Sequence, residues 1–130
     1  RKRTEDFIFK RKRAGQLLSK MRFISAQLAA YLEADLWLAN AAHANAMAAR
    51  LGAGLAKLPS IRLAAPVEAN EVFAYLPANL ASSLRADGFV FGDWGRPGKG
   101  LYRFVTDFET PETHVDALHA AFGRLLHMVE

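Results

Sequence analysis

One hundred and thirty residues, 52% of them hydrophobic, suffice for one globular domain, which at this size buries about two thirds of the surface its unfolded chain exposes. No apolar run approaches the roughly 20 residues that cross a bilayer, and the absence of cysteine excludes a disulfide framework and any thiolate metal site. The net charge of +4 is unevenly spread: residues 1–22 hold nine Lys/Arg against Glu5 and Asp6, whereas the remainder holds eight against eleven acids.

From Thr4 to Leu58 there is no proline, and glycine is confined to Gly15, Gly52 and Gly54, so this stretch reads as helical up to Pro59. Apolar residues recur at three- and four-residue steps through Met21, Ile24, Leu28 and Tyr31, and again through Met47, Leu51, Leu55 and Leu58. These are the seams of two or three helices with a bend near Glu33 to Asp35. The alanine density between Ala26 and Ala56 allows close approach of a neighbouring helix or a partner subunit.

Beyond Pro59 the pattern changes to short apolar runs separated by turn residues. Strands are expected at Ile61–Leu63, Glu71–Leu76, Gly88–Phe91 and Leu101–Val105, with a helix over Ala78–Ala86 terminated by Gly88. A hairpin loop, Gly92 to Gly100, joins the last two strands. Thr110 reads as the N-cap of a final helix through His127, with Pro111 at its first position. The order implies an α+β fold in which a small, largely antiparallel sheet is covered by helices. Its expected organisation is linking helices over 1–58, then a small α+β domain over 59–130.

Within Leu101–Val105, Arg103 is out of place. Period-two alternation puts Leu101, Arg103 and Val105 on one face and Tyr102, Phe104 and Thr106 on the other. A guanidinium among apolar neighbours must reach water or find an anion, and its planar fork matches a carboxylate or phosphate. The plain alternative is an internal ion pair with Asp93, Asp107 or Glu109, or an edge Arg reaching solvent.

Other candidates for chemistry are weak. Gly98-Lys99-Gly100 fails the phosphate-loop pattern, because Asp93 and Gly100 stand where Gly and Ser/Thr are required. His43, His114, His119 and His127 lack metal-ligand spacing, so no metal site is expected. Ser19, Ser25, Ser60, Ser82 and Ser83 lack a nucleophile context, so the chain is not expected to carry out catalysis alone. The cluster Lys10-Arg11-Lys12-Arg13 admits three readings: a solvated helix face, a nucleic-acid or acidic-partner module spanning residues 1–22, or the phosphate-binding edge of an active site. The chain opens on Arg1 with no recognisable signal-peptide pattern; the lack of cysteine is compatible with the cytosol, and a cytoplasmic location is the expectation.

Taken together, Lys10 through Phe23, His43-Ala44-Asn45-Ala46-Met47-Ala48, Pro66 through Phe73 and Tyr102-Arg103-Phe104-Val105-Thr106 resemble the low-specificity L-threonine aldolase family. These are pyridoxal-phosphate enzymes also grouped with β-eliminating lyases. The resemblance runs from about Phe7 to Leu126 and matches the family's C-terminal portion. It implies the small domain of a fold-type I enzyme that cleaves β-hydroxy-α-amino acids to glycine and an aldehyde, and assembles as a homodimer or homotetramer. By the same resemblance Arg103 binds the substrate carboxylate, and Lys12 with Arg11 lies near the cofactor. The family's glycine-rich continuation is reduced here to Gly15, and the resemblance places the family's aldimine-forming lysine N-terminal to the matched segment. The fragment alone is therefore expected to be inactive.

Overall fold

The computed structural model describes Thr4 and residues 6–127, with only the backbone of His127. Arg1, Lys2, Arg3 and Glu5, part of the basic segment singled out above, lie outside the described residues. The chain divides into two compact units, Arg1–Trp37 and Leu38–Glu130.

The first unit carries helices α1 (Phe7–Arg13) and α2 (Met21–Leu32), followed by a 3-10 turn at Glu33–Asp35. The bend expected at Glu33 to Asp35 is there, with Ala34 and Asp35 both at positive φ. Four cations fill the last turn of α1, where they complement the helix dipole. The periodic apolar positions Met21, Ile24, Leu28 and Tyr31 do line up on α2, yet all are exposed.

The second unit is built on α3 (Leu36–Leu55), whose first two residues precede it. Ala44, Met47, Ala48, Leu51 and Leu55 are buried at three- and four-residue spacing, the seam that sequence periodicity required. Gly52 completes this face, because a Cβ there would lie 2.7 Å from the Val67 side chain. Since these residues belong to the core, compactness divides the chain before Leu38, whereas the expected organisation divides it after Leu58.

Four antiparallel strands follow: β1 (Arg62–Leu63), β2 (Glu71–Tyr75), β3 (Gly92–Asp93) and β4 (Leu101–Val105), in spatial order β1-β2-β4-β3. Helix α4 (Ala78–Ala86) connects β2 to β3, and α5 (Glu112–His127) closes the unit. The strand expected at Gly88–Phe91 is displaced: pairing with β4 begins at Gly92, opposite Arg103. Phe91 instead serves the core, stacked on Phe104 at 4.7 Å and edge-on to Tyr102 at 5.5 Å.

One sheet face is closed by helices. Val72, Ala74, Tyr102 and Phe104 point into a core completed by Leu55, Leu84 and Phe122. Truncating a fully buried phenylalanine such as Phe122 to Ala costs about 3–5 kcal/mol. The Arg50 fork binds Asp116 at 2.7 and 3.0 Å and reaches Glu112 at 3.3 Å, tying α3 to α5. The opposite sheet face, carrying Glu71, Phe73, Tyr75, Leu101, Arg103 and Val105, is half-buried to exposed.

The Thr110 hydroxyl does not reach forward into α5 as an N-cap. It accepts from the Asp107 N–H at 2.9 Å and donates to Asp107 Oδ1 at 2.8 Å, while its carbonyl meets His43 Nε2 at 2.7 Å. Asp107 outcompetes the helix end because its own side chain already turns the loop, accepting from the Glu109 N–H. Among the described residues no helix is long and apolar enough to cross a membrane.

Candidate carboxylate-binding site

Strand register decides what surrounds Arg103. Phe73 lies directly across from it on β2, Glu71 sits one same-face position further along, and Gly92 on β3 offers no side chain. Diagonal neighbours on one face of an antiparallel pair are about 7–8 Å apart, within reach of long side chains. The Arg103 Nη1 accordingly donates to Glu71 Oε1 at 3.3 Å. None of the three acids close in sequence is its partner: Asp93 pairs with Arg85 at 3.1 Å, and Asp107 is bound to Thr110 and Glu109.

The hairpin loop supplies the second neighbour. The Trp94 N–H donates to the Leu101 carbonyl at 2.9 Å, folding the loop back over the sheet. Its ring packs 5.2 Å from Phe73 and 4.9 Å from the Arg103 guanidinium carbon. The guanidinium therefore sits over an aromatic ring and has one amino group on a carboxylate. Its Nη2 and Nε make no hydrogen bond among the described residues, and the side chain is 38% exposed, so one edge of the fork is open to an incoming anion. A second cation, Arg62, lies over the Tyr75 ring at 4.0 Å further along the same face.

The other expected site residues belong to the first compact unit. Arg11 and Lys12 are exposed on α1, in the first compact unit, whereas Arg103 belongs to the second. The structure brings Arg103 together with Glu71, Phe73 and Trp94, none of which was singled out from sequence. The signal for Glu71 and Phe73 was present in the alternation of Glu71, Phe73 and Tyr75. It becomes useful only once the register of β2 against β4 is known.

Pyridoxal phosphate needs an amine to carry it, donors for its phosphate and a partner for its ring nitrogen. Lys10, Lys12, Lys20, Lys57 and Lys99 are all exposed, whereas a Schiff-base lysine is tuned by burial. The described residues by themselves do not fit this cofactor. A cavity of about 400 Å³ beside α5, lined by Phe89, Phe104, Thr106, His114 and Leu118 among others, contains no lysine or arginine. His119 Nε2 lies 3.2 Å from the Leu51 carbonyl, a structural contact. Among the described residues, no three His, Cys, Asp or Glu gather as for a metal ion.

No protein-family model matches the chain. It is 42% identical over 120 residues to a low specificity L-threonine aldolase of Pseudomonas sp. (strain NCIMB 10558), a match covering 92% of this chain and 34% of that protein. The enzyme of the same name from Pseudomonas aeruginosa is 42% identical over 106 residues, covering 82% of this chain and 30% of its own length. In structure the chain is similar to a threonine aldolase of Leishmania major, with a TM-score of 0.80 and 28% identity over 88% of this chain and 34% of the other. A NifS-like protein shares the fold at a TM-score of 0.58 and 19% identity, covering 68% of this chain and 28% of its own. This chain thus resembles the C-terminal portion of low-specificity L-threonine aldolases, and spans about a third of the length of the curated relatives it matches.

Proposed function

We propose that this chain is the C-terminal, substrate-side part of a pyridoxal-phosphate-dependent aldolase that cleaves L-threonine or a related β-hydroxy-α-amino acid to glycine and an aldehyde, and that Arg103 binds the substrate carboxylate. The single observation that supports the role of Arg103 is its setting: a guanidinium on a half-open sheet face, backed by Trp94, with one edge of its fork free. Two parallel N–H···O bonds to a carboxylate fix orientation as well as affinity. Arg103 would therefore hold the substrate so that the bond to be broken keeps one direction, a positioning contribution to the rate.

The electron-sink chemistry belongs to pyridoxal phosphate, held mainly by parts of the intact enzyme outside this chain. Lys12 and Arg11 are proposed to approach it, their exposed cations suiting a phosphate. The intact enzyme is proposed to be a cytoplasmic homodimer or homotetramer, a reading supported by the apolar side chains left exposed on α1 and α2. In an intact aldolase carrying this segment, Arg103→Ala should lower kcat/KM for threonine roughly 100-fold, the loss expected for charge-assisted bonds. An unchanged kcat/KM would remove Arg103 from the site. The 130-residue chain alone should not cleave threonine, and glycine release by the pure chain would overturn that.

A further inference from the structure

We propose that Glu71 is a specificity-determining residue that admits one carboxylate at Arg103 and disfavours a second. This inference rests on Arg103 being the carboxylate site and names the class of ligand that the site selects: monocarboxylates over dicarboxylates.

Three features carry it. The Glu71–Arg103 contact is a single point, Nη1 to Oε1 at 3.3 Å, not a bidentate pair. It therefore occupies one corner of the guanidinium and leaves the edge formed by Nη2 and Nε for a ligand. The guanidinium carbon sits over the Trp94 ring, 4.9 Å from its centroid, which holds the group in place. A carboxylate that pairs with both Nη2 and Nε lies in the plane of the fork, on the edge that Glu71 leaves unbonded. Finally, Glu71 is 37% exposed and Arg103 38% exposed, so both remain within reach of solvent and ligand.

The electrostatic consequence follows. Glu71 already neutralises part of the charge of Arg103, and its carboxylate stands next to the remaining edge. A monocarboxylate meets one arginine and one neighbouring anion. A dicarboxylate brings a second negative charge towards the same anion and gains no further cation on the Arg103 fork. Each additional unit of charge is penalised modestly, because half-exposed pairs are screened by water. The isosteric change Glu71→Gln keeps a hydrogen-bonding oxygen opposite Nη1 while removing that penalty.

The test is binding of acetate and of malonate to the full 130-residue chain near pH 7.5. It is read from the NMR signals of the Arg103 Nε–H, assigned through Arg103→Lys, and of the Trp94 indole N–H. In Glu71→Gln, acetate should tighten about threefold and malonate about tenfold, so that the malonate-to-acetate preference rises about threefold. Glu71→Ser should raise it in the same direction and serves if the first variant does not fold. If the preference stays constant in the variants while Arg103→Ala abolishes both titrations, Glu71 does not select and the Arg103 reading survives. Titrations unaffected by Arg103→Ala, or no shift at Arg103 in the unsubstituted chain, would overturn both.

Discussion

Asn70 and Thr106 bind each other from both ends. The Thr106 N–H donates to the Asn70 carbonyl at 3.0 Å, and the Asn70 side-chain amide donates to the Thr106 carbonyl at 2.7 Å. The Thr106 hydroxyl lies 2.7 Å from the Ala44 carbonyl on α3 and 3.2 Å from that of Asn70. This buried node joins the end of β4, the start of β2 and the middle of α3. Thr106→Val retains the shape and removes the hydroxyl, leaving the Ala44 carbonyl without its side-chain donor. Stability should fall by about 1–3 kcal/mol, measured as a lower urea midpoint with an unchanged slope.

Gly54 faces His119 so closely that a Cβ there would overlap the imidazole. Gly54→Ala would push the ring off the Leu51 carbonyl and should destabilise the second unit by about 1–3 kcal/mol, despite the better helix propensity of alanine. Gly54→Ala combined with His119→Ala should recover most of that loss. A double-mutant cycle in urea checks it, and simple additivity would show that the two positions do not compete for space.

Gly100 needs its lack of a side chain for two reasons. Its φ is +68°, and a Cβ would stand 2.9 Å from the Leu76 carbonyl, whose own N–H donates to the Gly100 carbonyl. Gly100→Ala should cost about 1–3 kcal/mol and loosen the loop that holds Trp94. The readout is a lower thermal midpoint together with a shifted Trp94 indole signal.

Asp107 responds to acid. The Thr110 hydroxyl, followed by the Glu109 N–H, holds its carboxyl below the ordinary carboxylate value. A folded-state pKa below the unfolded one, about 3.9, gives stability that is present above that pH and is lost as pH falls through the lower folded value. Asp107→Asn should therefore be less stable than the unsubstituted chain at pH 7, and the difference should shrink as pH falls from about 4 towards 2. Urea midpoints across that range are the measurement.

Much of the fold was legible because local patterns and tertiary burial agree. The alternation of Leu101–Val105 correctly divided buried Tyr102 and Phe104 from half-open Arg103, and α4 occupies Ala78–Ala86 as read. Phe89 and Phe91 misled the placement of β3, since an apolar alternation can mark residues packed beneath a sheet as well as residues paired within it. The partner of Arg103 was not legible from nearby acids, because Glu71 is brought in by register across 32 residues of sequence separation. The Arg-Lys segment was visible from charge alone, but charge carries no information about where a helix docks. That is why Lys12 and Arg11 entered through resemblance.

The two central strands obey a parity rule across the chain numbering. Even positions 72, 74, 102, 104 and 106 are buried, and odd positions 71, 73, 75, 101, 103 and 105 face outward. Drift at odd positions can therefore retune recognition without reopening the question of how the chain folds, and drift at even positions does the reverse. The two five-residue strands thus carry two interleaved sets of positions, nearly independent in what they constrain.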